Sequence, residues 1–161
     1  MKTLIVYASK SGTAKQCAES LAGRLPNATL CDVTAEKPDP SGYDVVVLGG
    51  GVRMGRIHNE LCRYAEGCKD ILVGKRLGVF VTCGYDDLAD KAMANSLPAD
   101  VLAAAKVKMS FGGEMDLSRQ KGFMDKMICK ASLKEFKKNG LELPRLYPKR
   151  YTKFATELMA D

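Results

Sequence analysis

The sequence predicts an α/β fold, a doubly wound parallel sheet with helices on both faces. Two observations carry this. Strand-like stretches alternate with helix-like stretches along the chain, and the strand-like ones are near-continuous Val/Ile/Leu runs, as in sheets covered on both sides. No internal repeat or low-complexity linker interrupts the alternation, which predicts one domain over 1–161.

The elements follow in order. Residues 3–8, TLIVYA, read as a strand buried on both faces. Residues 13–25 read as a helix, because Ala14, Cys17, Ala18, Leu21, Ala22 and Leu25 fall at helical spacing on one side. ATLCDV at 28–33 is a second strand, and EKPDPSG at 36–42 is a loop by its prolines and glycine. YDVVVL at 43–48 is a third strand, followed by a glycine-rich turn, GGGVRMG, at 49–55 and a short helix over 58–68. RLGVFVT at 76–82 is the fourth strand, and 87–105 is helical with a break at Pro98. VKMSFG at 107–112 is the fifth strand. A basic amphipathic helix over 119–138 ends at Gly140, and a last helix covers 151–159. In the basic helix Phe123, Met124, Met127, Ile128 and Ala131 form an apolar stripe, with Lys126, Lys130, Lys134, Lys137 and Lys138 largely off it. Such a stripe normally packs on the sheet, and its alternative use is a membrane surface.

Composition and charge narrow the function. No apolar run approaches the roughly 18 residues of a membrane span. MKTLIVYAS lacks the cleavage site of a signal peptide, which predicts a cytoplasmic protein with free thiols. The six cysteines contain no C-x-x-C pair and His58 is the only histidine, so metal-ligand spacing is absent. The net charge of +6 is uneven: residues 119–153 carry +8 and the remainder −2. A basic segment of this kind predicts an anionic partner, with peripheral contact to the inner membrane face as the leading form; a nucleic acid is not expected.

The chemistry is concentrated at strand ends. S-K-S-G-T at 9–13 directly follows the first strand and opens a helix. Free amides at a helix start suit a phosphate, and the hydroxyls of Ser9, Ser11 and Thr13 add donors. The simpler reading is a capping box between Thr13 and Gln16. G-x-x-x-x-G-K-[ST] is absent. The glycine run at 49–55 has Met54 where a third glycine would be needed, which disfavours a dinucleotide site.

IVYASKSGTAKQCAESL resembles the flavodoxin signature, matching at Ile5, Val6, Tyr7, Ser9, Gly12, Ala18 and Leu21. Ala14 replaces the family's last loop threonine, with Thr13 one place earlier. GGGVRMGRIHNEL at 49–61 is similar to the second flavin loop of the quinone-dependent protoporphyrinogen oxidases of the same fold. FGGEMD at 111–116, FMDKMICK at 123–130 and RYTKFATEL at 150–158 resemble that branch too. That branch carries a long insertion after the fourth strand, which 83–106 is too short to hold.

The resemblance implies a flavodoxin-like, five-stranded sandwich of order 2-1-3-4-5 and an FMN-binding redox protein. It implies that Ser9, Lys10, Ser11, Gly12, Thr13 and Ala14 hold the phosphate. Gly51, Val52, Arg53, Met54 and Gly55 would flank one side of the flavin ring, and Thr82, Cys83, Gly84 and Tyr85 the other. Tyr85 is the candidate stacking ring, and Met54 or Arg53 the cover of the opposite face. Arg53 is a candidate cation beside the reduced flavin, against a solvated arginine. His58 is a candidate proton carrier, against a helix cap, and Cys83 is a redox thiol or a packing residue. The implied partners are a redox protein or a quinone. Two alternatives stand beside this reading: a protoporphyrinogen IX dehydrogenase of haem biosynthesis, its basic surface meeting the tetrapyrrole's carboxylates, and a domain that has lost FMN.

Overall fold

The computed structural model describes residues 1–161. In chain order the elements are β1 (Thr3–Ala8), α1 (Thr13–Ala22), β2 (Ala28–Asp32), β3 (Val45–Arg53), β4 (Arg56–Ile57), α2 (Asn59–Leu72), β5 (Arg76–Thr82), α3 (Ala89–Ser96), α4 (Ala99–Ala104), β6 (Val107–Ser110), α5 (Phe123–Lys138) and α6 (Lys149–Met159). The sheet runs β2-β1-β3-β5-β6, all pairs parallel, with β4 antiparallel to β3 outside that path. With β4 set aside, this is the expected order 2-1-3-4-5. No helix is long and apolar enough to cross a membrane.

Successive strand residues point to opposite faces, and the sheet's two cores divide by that parity. Leu4, Val6, Val46, Leu48, Leu77, Val79 and Val81 meet α2, α3 and α4 through Leu61, Tyr64, Leu72, Met93 and Val101. Ile5, Tyr7, Val45, Val47 and Phe80 meet α1 and α6 through Cys17, Leu21, Phe154 and Leu158. Both faces are apolar, so the strands had to be continuous hydrophobic runs.

On the second face Phe111 stacks on Phe80 at 4.8 Å and meets Tyr151 and Phe154 edge-on at 4.9 and 5.4 Å. Room for the Phe80 ring comes from Gly49 on the neighbouring strand, where a Cβ would fall inside the ring.

Several boundaries differ from expectation. α1 stops at Ala22, since Gly23 follows as its C-cap. α2 runs on to Leu72, because Tyr64, Ala65 and Leu72 continue its buried side. Pro98 separates α3 from α4, as expected, and serves as the N-cap of α4. GGGVRMG is not a loop: β3 continues through Arg53, and Met54 and Gly55, with φ of 51° and 76°, turn the chain into β4. Positive φ at both turn residues is the geometry whose twist matches antiparallel strands.

The largest departure follows β6. The strand ends at Ser110, short of the predicted residue 112, and the chain leaves the sheet beyond it. It returns beside its point of exit: Tyr147 N–H donates to Phe111 O at 2.9 Å, and Gly113 N–H to Arg145 O at 3.2 Å. Residues 114–144 form an excursion closed at this stem, and it contains α5. The predicted start of the basic helix at 119 is also corrected: Leu117–Arg119 is a 3-10 turn and α5 begins at Phe123. The stripe does not pack on the sheet. Phe123, Met124 and Met127 are 78%, 68% and 52% exposed, while Cys129 and Phe136 turn inward. The inward side of α5 is therefore not the predicted stripe, because the excursion's closure decides which residues meet the body.

Gly49→Ala should destabilise the fold by about 2 kcal/mol or more in urea unfolding, since the Phe80 ring must leave its place between neighbours. Gly42→Ala, which meets nothing within 4 Å, should stay within about 0.5 kcal/mol of the parent.

Candidate functional site

The carboxyl ends of β1, β3 and β5 open into one cleft of about 850 Å³. Its floor is the turn from β1 into α1. Gly12 is the N-cap of α1 at φ 90°, a left-handed conformation that favours glycine. Its N–H donates to Ser9 Oγ at 2.9 Å, and its carbonyl accepts from Gln16 N–H at 3.0 Å. The capping box between Thr13 and Gln16 is not formed: the cap has no side-chain hydrogen bond, and the Thr13 hydroxyl meets Ser11 Oγ at 3.3 Å. The amides of Thr13, Ala14 and Lys15 consequently have no partner. They are the positive end of the α1 dipole, and Thr13 and Ala14 line the cleft.

One wall is the β3–β4 hairpin, with Gly51, Val52, Arg53, Met54 and Gly55 all on the cleft. Met54 stands at its tip, 85% exposed. Arg53 is not a solvated arginine. Its guanidinium forms an ion pair with Asp125 Oδ1 at 2.6 Å and donates to Gln120 Oε1 at 2.6 Å. Gln120 is buried and in turn donates to Asp116 O at 3.2 Å. The positive charge of Arg53 is thus locally balanced by Asp125, and the arginine ties the hairpin to the excursion.

The opposite wall is Thr82, Cys83, Gly84 and Tyr85. Cys83 N–H donates to Gly112 O at 2.8 Å, which fixes this wall to the stem of the excursion. The Tyr85 ring stacks on Phe136 of α5 at 4.8 Å and 29°. Burial pushes the Cys83 thiol up, and the Cys129 thiol likewise. Reactive thiols need the reverse shift, so Cys83 reads as packing.

His58 lines the cleft as the N-cap of α2, and its Nδ1 accepts from Glu60 N–H at 3.2 Å. Burial, then the charge of Lys10, holds its imidazole below the usual range. Both effects favour a neutral cap.

Of the residues expected at the site, all except Gly12 line the cleft; Gly12 shapes the turn beneath it. A further wall was not expected. Glu114 and Met115 from the start of the excursion, Gln120, and Asp125, Ile128, Cys129 and Ser132 from α5 close the cleft. Their sequence signal was the FMDKMICK run, read there as one half of an amphipathic helix. Its pairing with the hairpin depends on contacts far apart in the chain.

The family model described as flavodoxin domain matches residues 4–140. Among solved structures, the chain is similar to a short-chain flavodoxin associated with a bacterial microcompartment, at 17% identity over 98% of this chain and 97% of that one, with a TM-score of 0.56. It is also similar to a WrbA-like flavodoxin from Agrobacterium tumefaciens, at 14% identity over 98% and 96%, TM-score 0.53. A third likeness is to a flavoprotein from Lactobacillus acidophilus in complex with FMN, at 18% identity over 68% and 91%, TM-score 0.52. At these identities the likeness is one of fold. No curated protein matches the chain in sequence.

Two outcomes follow from the site's contacts. Asp125→Asn should loosen α5 by about 1 kcal/mol, the scale of a half-exposed ion pair, read as faster amide exchange across 123–138. For His58 the folded state disfavours the proton, so its contribution is present above the ordinary value near 6.5 and fades as pH falls below it. Urea unfolding at pH 7.5 and pH 5 should show that loss, and His58→Asn, which keeps a capping acceptor, should flatten it.

Proposed function

This chain belongs to the flavodoxin-domain family, and from that premise we propose that it acts as one FMN-binding domain passing electrons between redox partners at the rim of its cleft. The observation that carries the reading is the run of unpartnered amides at Thr13, Ala14 and Lys15 at the start of α1, where Thr13 and Ala14 line the cleft floor. Three N–H groups at a helix start suit a terminal phosphate, and the turn lacks the G-x-G-x-x-G run of a dinucleotide site. The residues fit the group in other respects. Tyr85 has one face on Phe136 and borders the cleft, so its ring is held for stacking on a flat partner. When bound, FMN supplies the capacity to accept and release electrons.

The chain's own residues then do four things. The first turn anchors the phosphate end. The hairpin and Tyr85 orient the ring system between them. Gln120, Ile128 and Cys129 limit water on the α5 side. His58, held neutral beside Lys10, is the one imidazole on the cleft, with Nδ1 engaged by the Glu60 amide and Nε2–H left as a donor. Arg53 serves chiefly as a positioning residue, because Asp125 balances its charge.

A second reading has its own observation. Phe123, Met124 and Met127 project from α5 into solvent among Lys121, Lys126 and Lys130. We propose peripheral contact of this face with anionic lipid, which would bring a lipid-soluble quinone to the rim as electron acceptor. The tetrapyrrole alternative rests on the same lysines meeting carboxylates and has no separate support. A domain that has lost FMN would have no use for a cleft of about 850 Å³ with free amides at its floor.

The purified protein should absorb in the visible as a flavoprotein and release FMN, not FAD, on denaturation. Gly12→Asp should abolish that colour, since at φ 90° a side chain strains the turn that presents the amides. A colourless parent that FMN does not reconstitute overturns the reading. For the second, co-sedimentation with anionic vesicles should exceed that with neutral ones. It should fall at high salt, where the Debye length shortens below about 8 Å, and with Phe123→Ser/Met127→Ser. Equal recovery in the supernatant throughout removes the membrane contact.

A further inference from the structure

We propose that Arg119, carried by the excursion, is a phosphate-binding side chain that gives the cleft its preference for a phosphorylated flavin, with Glu114 as its orienting partner. The inference rests on the reading of the cleft as an FMN site. It concerns residues outside the first turn, which alone was expected to hold the phosphate.

Three observations meet here. Arg119 lies against the first turn: its Nη2 is 3.4 Å from where a Cβ of Gly12 would stand. Its Nη1 donates to Glu114 Oε2 at 2.8 Å, the only bond its side chain makes, so Nη2 and Nε have donors to spare. Glu114 itself lines the cleft. A carboxylate on the wall of an anion site repels the incoming anion unless a cation holds it. The planar guanidinium can serve two acceptors at once, one through each edge. Arg119 stands just behind the cleft lining, beside Gly12, and by turning its free edge while Nη1 keeps Glu114 it would reach an anion seated over the amides of Thr13 and Ala14. Both side chains of the pair are about one-third exposed, so the guanidinium can adjust without breaking a buried contact.

The arrangement has a consequence for the excursion. An arginine from 114–144 that binds the phosphate ties this segment to the β1–α1 turn, an attachment additional to the Arg53–Asp125 pair. FMN occupancy then closes the segment more firmly than an unphosphorylated flavin does.

The test uses the apoprotein of the full chain, titrated with FMN and with riboflavin and followed by quenching of flavin fluorescence. Arg119→Ala should weaken FMN binding by about ten- to a hundredfold, the usual worth of a hydrogen bond to a charged group, and change riboflavin affinity less than about twofold. Arg119→Lys should recover part of the loss. Glu114→Gln, which keeps an acceptor for the arginine but removes the competing charge, should strengthen FMN binding and leave riboflavin unaffected. Lys121→Ala, an exposed cation two residues away, controls for net charge and should change neither. In the parent, FMN should slow tryptic cleavage within 121–138 more than riboflavin does. Equal weakening of both flavins by Arg119→Ala, or no weakening of either, overturns the proposal. A parent that binds neither flavin instead removes the FMN reading on which it stands.

Discussion

Phe111 is the contact on which the rest of the structure depends. It stacks on Phe80 over Gly49 and takes Phe154 and Tyr151 edge-on, so β3, β5, β6 and α6 all meet at one ring. Aromatic pairs at these angles add about 0.5–1.5 kcal/mol each beyond the area they bury. More important is where the ring sits. It is the last large buried side chain before the excursion begins, and its carbonyl accepts from Tyr147, the residue at which the chain returns. One buried side chain therefore fixes both ends of the excursion. Arg150 reinforces that return: it donates to Ser110 O and Asp86 Oδ1 at 2.8 and 2.7 Å while lying over the Tyr147 ring. The guanidinium holds the Asp86 carboxyl below the usual range, so this tie weakens only in acid.

The excursion converts an open edge into a cleft. Without it, the turns after β1, β3 and β5 would face solvent along one rim, as strand-end turns of such sheets do. With it, α5 closes the far side, held by few but varied contacts: the Tyr85–Phe136 stack, the Arg53–Asp125 pair and the burial of Gln120 and Cys129. Those contacts are polar or small in area compared with the two sheet cores. A segment attached in this way opens at lower free energy than the body beneath it. The same geometry turns the apolar side of α5 outward, where its lysines are also found, so that the basic segment and the exposed Phe123, Met124 and Met127 form one surface next to the rim.

The acids on the α5 side of the cleft are paired, Asp125 with Arg53 and Glu114 with Arg119. What is left without a partner is positive: the amides of Thr13 to Lys15 and the side chains of Lys10 and Arg56. The cleft therefore presents an unmet demand for an anion. That balance also explains why His58 stays neutral: its nitrogen is already used as an acceptor, and Lys10 stands nearby.

Much of this was legible in the residues themselves. Strands buried on both faces must be apolar at nearly every position, so β1, β3 and β5 were visible as apolar runs, and the turns that line the cleft were visible because they end those runs. Ser9 to Ala14, Gly51 to Gly55 and Thr82 to Tyr85 were singled out by the resemblance to the flavodoxin signature, and all but Gly12 line the cleft. Three matters were decided only by the tertiary structure. The hairpin at Met54–Gly55 looked like a loop because its glycines carry no strand pattern, yet pairing with β4 holds it extended. The partners of Arg53 lie 67 and 72 positions away, and no periodicity reports a contact across such a distance. The orientation of α5 was the third. Its sequence pattern suggested an apolar stripe, Phe123 to Ala131, against the body with the lysines off it, whereas Phe123, Met124, Met127 and the lysines all lie outward and Cys129 and Phe136 inward. Which side is buried depends on how the stem at Phe111 and Tyr147 aims the helix, and that is set by packing in the sheet, not by the helix.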